Sequence, residues 1–268
     1  MTMFLPLDEI SPERRDDADV LADVRTLIRM HQEGHLGGAT MPEDVHPSLD
    51  RRSADLCHYF TLGMSLNYQR NSYSLWQSAT RAYNDPETAV IFCPREVSRL
   101  SHTELATLLL RYRVGLQPNK HTATWHALCV SFCELYDGDV RNLFGKCEGD
   151  IRRILTEIQQ TYKKRFPYLS GPKIANYWLY VLLSYTDLNL TNREALSVAP
   201  DTHVIQSSRR LGLISQGERE TPRVATLVAE RWKGLLDGTE FAPIDVHTPL
   251  WLWSKSGFKN FGPSGSYM

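Results

Sequence analysis

FPYLSGPKIANYWLYVL, residues 166–182, is the stretch whose reading decides the fold. It reads as the end of one helix, a tight turn at Ser170-Gly171-Pro172, and a second, apolar helix. Proline suits a first helical turn because the N–H it lacks has no intrahelical acceptor there. Upstream, GDIRRILTEIQQTYKKRF places Ile151, Ile154, Leu155, Ile158 and Tyr162 on one face and predicts a single amphipathic helix leading into the turn. Downstream, APDTHVIQSSRRLGL, residues 199–213, reads as a helix start with Asp201 at the cap and Pro200 before it.

The same period governs the rest of the chain. Asp17 to His31 predicts a helix, and ADLCHYFTLGMSLNYQRNSYSLWQSA predicts two helices broken near Arg70-Asn71-Ser72. Ser101 with Glu104 three residues on is a capping box. HTATWHALCVSFCELYDGDV, closed by Gly138, and TPRVATLVAERWKGLL add two amphipathic helices, and SYTDLNLTNREALSVA reads as a polar insertion ahead of Asp201. No strand-like alternation and no Gly-rich nucleotide loop stand out, so the expected class is all-α.

At 268 residues, the chain is long enough for one bilobed domain or two small ones, each with its own core. Hydrophobic content of 42% with 23% charged residues is ordinary for a globular protein. No apolar run reaches the roughly 18–20 residues that cross a bilayer, so no membrane partner is expected. The opening MTMFLPLDEISPERRDD lacks the basic and apolar regions of a secretory signal, which points to a cytoplasmic, nucleoid-associated location. Net charge is −1, so bulk charge does not advertise nucleic acid. The distribution does: Arg152, Arg153, Lys163, Lys164, Arg165 and Lys173 gather around the turn, and short-range phosphate contacts need only a local basic face. The alternative is an ordinary solvated helix surface.

Five cysteines, scattered and odd in number, suit buried reduced thiols, and no second pair joins Cys129 and Cys133 to make a metal site. His31 and His35 lie four apart, but Gly34, Gly37 and Gly38 argue against the helix a metal pair would need. No metal and no cofactor are expected.

Gly171-Pro172-Lys173 with Ala175, then Asp201-Thr202-His203-Val204, then Arg210-Leu211-Gly212, resemble the helix-hairpin-helix DNA glycosylase superfamily of the endonuclease III and 8-oxoguanine glycosylase kind. The likeness covers about residues 53–258 and is specific across 166–182 and 199–213. It implies a two-lobed helix-hairpin-helix fold. Residues 51–190 would form a six-helix lobe, residues 1–50 plus 191–268 a second helical lobe, with the active site in the cleft between. The chain departs from the family in three places. Its hairpin lacks the first glycine of Leu-Pro-Gly-x-Gly-x-Lys, Gln206 stands where many members have Arg, and Lys173 and Asp201 lie 28 residues apart, further than in endonuclease III. No cysteine follows Cys147, so the iron–sulfur cluster of some relatives is absent.

What the resemblance implies for chemistry is N-glycosidic cleavage of a damaged or modified base from double-stranded DNA, by a monomer. Breaking that bond builds positive charge on the sugar, and Asp201 would stabilise it or serve as base, its alternative role being a plain helix cap. Lys173 would attack the anomeric carbon and form a Schiff base, followed by AP-lyase elimination. The amine must be neutral to attack, which burial and the neighbouring cations would favour; its alternative role is a solvated phosphate contact. Ser170, Gly171, Lys163, Lys164 and Arg165 would hold the DNA backbone, Gly171 by letting a phosphate come close. Gln69 and Asn67 in the helix bend, with His247 and Trp251 near the C-terminus, would meet the base. Two other functions remain open: an N-glycosidase for a modified free nucleoside or nucleotide, and a non-catalytic DNA-binding module.

Overall fold

Thirteen α-helices, a few 3-10 turns and no β-strand make up residues 13–36 and 40–258, the part of the chain that the computed structural model describes. The protein is all-α. Residues 1–12, read above for a targeting signal, the Gly37-Gly38 part of the loop, and residues 259–268 lie outside the described part. Among the described residues no helix is long and apolar enough to cross a membrane. The chain forms two compact units, one of Met1–Met41 with Glu194–Met268 and one of Pro42–Arg193.

The first unit opens with α1 (Asp17–Gln32), whose Ala18 N–H is capped by Asp16 Oδ1 at 2.8 Å. One face buries Val20, Val24, Leu27 and Ile28. The remaining helices of this unit come after the second.

Within the second unit, α2 (Ala54–Ser65) starts at Ser53, whose hydroxyl accepts from Leu56 N–H, and α3 (Ser72–Asn84) starts at Asn71, whose amide oxygen accepts from Ser74 N–H. These side-chain caps are why the apolar run breaks where it does. Then come α4 (Pro94–Val97), α5 (His102–Arg111) with the expected Ser101–Glu104 capping box, and α6 (Pro118–Tyr136). Asp137, left-handed at φ 51°, and Gly138 end α6. Next are α7 (Val140–Lys146), α8 (Ile151–Thr156) and α9 (Pro172–Tyr185). The core is aromatic: Tyr59, Phe60, Trp76, Trp125, Phe132, Phe166 and Trp178 are fully buried. Each of these three indole N–H groups has an acceptor, Trp76 on Glu43, Trp125 on the Ile91 carbonyl and Trp178 on Thr61, so none of the three is buried with an unmade bond.

Two expectations need correcting here. Residues 149–166 do not form one regular helix. After α8, Glu157–Thr161 makes a π-turn, closed by Tyr162 N–H to Glu157 O at 2.9 Å, and Lys163–Arg165 make a 3-10 turn. The wider turn takes up an extra residue, leaving Tyr162 beside Lys146 and carrying Phe166 into the core against Phe132. Nor is the segment before Asp201 merely polar. Its Thr191 exchanges backbone hydrogen bonds with Gly149 and Ile151, at 2.8 and 3.2 Å, while Leu196, Val198 and Ala199 are buried.

The first unit is completed by α10 (Thr202–Arg210), α11 (Gln216–Arg219), α12 (Val224–Leu236) and α13 (His247–Lys255). Ser207 Oγ donates to the Leu250 carbonyl and Trp232 Nε1 to Ser208 Oγ, which fixes α10 against α13 and α12. Gly212, at φ +78°, lies so close to the Arg15 side chain that a Cβ would stand 2.5 Å from it, and Arg15 in turn pairs with the buried Asp23 at 2.7 Å.

Candidate functional site

The hairpin of the second unit sits between the 3-10 turn and α9. Ser170 Oγ donates to the Lys163 carbonyl at 3.3 Å and Ser170 N–H to the Phe166 carbonyl at 3.0 Å, tying the turn to the helix it leaves. Gly171 is the residue before α9, at φ −64° and ψ 139°, an ordinary extended conformation. Its glycine identity provides room, since a Cβ would stand 3.1 Å from the Tyr168 carbonyl oxygen. The left-handed residue of the turn is Tyr168, at φ 62°. Leu169, where the family pattern has its first glycine, is fully buried.

Lys163, Lys164 and Lys173 are exposed, and none enters an ion pair among the described residues. Arg165 differs: its guanidinium pairs with Glu134 and its carbonyl accepts from Ser131 Oγ at 2.8 Å. Lys173 occupies the first turn of α9 with its side chain in solvent. Burial, expected as one means of activating its amine, is therefore absent.

Asn67 and Gln69 lie in the bend between α2 and α3. Asn67 braces that bend, its Oδ1 accepting from Ser72 Oγ at 2.7 Å and its amide facing Met64 Sδ at 3.8 Å. Gln69 is exposed and left-handed, at φ 50°. Arg70 turns inward to donate to the carbonyls of Val114, at 2.6 Å, and Arg113, at 3.1 Å. Burial first, and Arg113 next, lower its guanidinium to about 10. The bend, the start of α6 and Tyr168 surround one open cleft that contains Gln69 but not Asn67.

In the first unit Asp201 caps α10, Oδ1 accepting from Val204 N–H at 2.9 Å. Its other oxygen, Oδ2, has no hydrogen-bond partner among the described residues. His203 Nδ1 lies 3.0 Å from Ser254 Oγ, which donates to Gln206 Oε1 at 3.1 Å. That chain orients the ring so that Nδ1 carries the hydrogen and Nε2 holds the free lone pair. Burial lowers the affinity of His203 for a proton, with Asp201 opposing and Lys255 adding to the effect. Trp251 is buried, its ring edge-on to His203 at 5.0 Å, and His247 is buried at the start of α13. Trp251 is thus a packing partner of the Asp201–His203 segment, and His247 is a core residue.

The five cysteines are free thiols, Cys57, Cys129 and Cys147 buried and Cys93 and Cys133 half-buried. No group of His, Cys, Asp and Glu among the described residues could hold a metal ion. Sequence reasoning passed over His203, Ser254, Tyr168 and Lys120. His203 was within the quoted motif and could have been found there. Nothing in the sequence links Lys120 to Tyr168, whose ring centre lies 5.1 Å from the Lys120 ammonium. Compared with known proteins, the chain matches no protein-family model and no curated protein.

Proposed function

We propose that the protein is a DNA glycosylase of the helix-hairpin-helix kind, cleaving the N-glycosidic bond of a damaged or modified base in duplex DNA. The observation that carries this reading is the hairpin: a serine-glycine turn entering a proline-started helix, with Lys163, Lys164 and Lys173 exposed and unpaired around it. Protein cations that already have carboxylate partners gain little from a phosphate; Lys163 and Lys164 have none among the described residues, and each phosphate contact releases a counterion. Asp201 supports the chemistry. Its cap bond uses one oxygen, leaving the other to face positive charge that develops on a sugar.

In the reaction, Lys173 Nζ attacks the anomeric carbon while the base departs with the bonding electrons and takes up a proton. The amine loses its protons as the sugar ring opens to the Schiff base. Loss of a C2′ proton then expels the 3′ phosphate. Asp201 stabilises the cationic sugar or accepts the amine proton.

Base release from duplexes carrying 8-oxoguanine, uracil or thymine glycol tests this, with wild type beside Asp201→Asn. Asparagine caps helices as well as aspartate does, so the fold is kept while the charge is removed. A fall in single-turnover rate of about a hundredfold or more with unchanged melting is expected. Equal rates for the two proteins, or no release from any duplex, would overturn the assignment.

A further inference from the structure

In the second unit, folding brings a third thiol to the pair that shares a face of α6. Cys129 and Cys133 follow Trp125 at successive four-residue steps, which keeps them on the side of the helix that Trp125 occupies. The chain from Ile91 to Arg95 runs along that side and is fixed to it at both ends. At one end the Ile91 carbonyl accepts from Trp125 Nε1 at 2.7 Å, and the Phe92 and Trp125 rings meet edge-on at 5.6 Å. At the other, the Arg95 guanidinium pairs with Asp137 Oδ1 at 2.9 Å, one turn beyond Cys133. Cys93 lies midway between these anchors, opposite the two turns that carry Cys129 and Cys133. Burial pushes the Cys129 thiol well above its usual range, and Cys133 and Cys93 push the same way, so both lie within electrostatic reach of it.

The three thiols differ in access. Cys129 is fully buried, whereas Cys93 and Cys133 are half-buried, so a small solute in water reaches those two and not the third. They differ in freedom as well. Cys129 and Cys133 are held parallel by one long helix and cannot turn toward each other into the torsion a disulfide requires. Cys93 precedes the four-residue helix α4, and its side chain makes no capping bond there. A bridge needs Cα atoms within about 7 Å of each other, and the short segment around Cys93 is the one that can adjust to reach α6. The cluster is no metal site, so its chemistry is that of a dithiol.

We propose that Cys93 and Cys133 are a site of oxidation by hydrogen peroxide, closing to a disulfide in which Cys129 takes no part. The thiolate of one cysteine attacks a peroxide oxygen and the O–O bond breaks. The departing hydroxide takes up a proton and leaves as water, and the cysteine becomes a sulfenic acid. The sulfur of the second cysteine then attacks the sulfenic sulfur; the S–S bond forms, the S–O bond breaks, and a second water leaves with the remaining proton. The two thiols together lose two electrons and the peroxide gains them. The reaction involves neither Lys173 nor Asp201, so the proposal goes beyond the glycosylase reading and does not depend on it.

The test treats the reduced full chain with hydrogen peroxide, then alkylates it with iodoacetamide in denaturant and maps the peptides by mass without reductant. Wild type should lose the Cys93 and Cys133 thiols together, yield one linked pair of peptides containing them, and regain both thiols after dithiothreitol. Cys57, Cys129 and Cys147 should stay open to alkylation throughout. Cys93→Ser and Cys133→Ser should each abolish the linked pair, and at least one of them should retain a sulfenic acid that dimedone captures. Wild type oxidised in urea should give mixed pairings, because the selectivity comes from the packing of the Cys93 segment on α6. All five thiols alkylated as fully after peroxide as before would overturn the proposal. So would a bridge from Cys129, a bridge between two chains instead of within one, or the same pairing in urea as in the folded protein.

Discussion

Replacing Glu43 by glutamine should make the second unit more stable above neutral pH. Glu43 is 1% exposed, and its carboxylate accepts from Trp76 Nε1 at 2.9 Å and Tyr177 Oη at 3.1 Å. Burial is the largest influence on it, raising the carboxyl from 4.5 to about 7, with Asp44 pushing the same way and the two donors opposing. A carboxyl held above its unfolded value keeps its proton in the folded state after the unfolded chain has lost it. The folded protein then binds more protons, and stability falls as pH rises between about 4.5 and 7. Each pH unit in that window removes about 1.4 kcal/mol, so the full loss by pH 8 is about 3 kcal/mol. Glutamine carries no charge, can accept from Trp76 and can donate to the Tyr177 oxygen. Urea unfolding followed by tryptophan fluorescence, at pH 5 and pH 8, reads the difference. We expect Glu43→Gln to match wild type within about 1 kcal/mol at pH 5 and exceed it by about 2–3 kcal/mol at pH 8. In melting experiments that corresponds to roughly 4–12 °C for a domain of this size. A difference between the two proteins that does not change with pH would refute the reasoning, because the linkage would then be absent.

Further outcomes follow from packing and charge. Gly63 lies inside α2, where alanine would ordinarily add about 1 kcal/mol of helix stability. A Cβ there would stand 2.7 Å from Cζ3 of the buried Trp76, so Gly63→Ala should instead destabilise by about 1–2 kcal/mol and shift the tryptophan emission. A more stable variant in urea titration would contradict that. Lys163→Gln combined with Lys164→Gln should lower the salt slope of duplex binding by about two while leaving urea unfolding unchanged, since neither lysine has an ion-pair partner among the described residues. An unaltered slope would remove these residues from the DNA interface. Arg165→Gln should behave differently, since its guanidinium already pairs with Glu134, and should leave the slope within about half a unit of wild type.

The legible parts of this fold are those set by local chemistry. Ser53, Asn71, Ser101 and Asp201 each cap the backbone a few residues ahead, so the helix starts can be read directly. Pro172 marks the start of α9 for a different local reason, the N–H it lacks having no intrahelical acceptor in a first turn. The π-turn at Glu157–Thr161 was not legible, because the apolar spacing of Ile151, Ile154 and Ile158 suits a regular helix equally well. Beyond the turn Phe166 packs against the distant Phe132, a contact that local spacing does not encode. Likewise the backbone bridge between Asp150 and Thr191 involves no side-chain signature. At the candidate site, the sequence marks Asp201 and Lys173 by position but says nothing of exposure, and Lys173 proves exposed. The Tyr68–Tyr168–Lys120 arrangement joins three segments distant in the chain, so only folding assembles it.

Borohydride trapping on a duplex with a damaged base or an abasic site tests the central claim most directly, with wild type and Lys173→Gln run side by side. The account predicts a covalent protein–DNA adduct with wild type and none with Lys173→Gln, the substitution falling on an exposed residue of α9. An adduct of equal yield with both proteins, or none with wild type on any duplex, would contradict it.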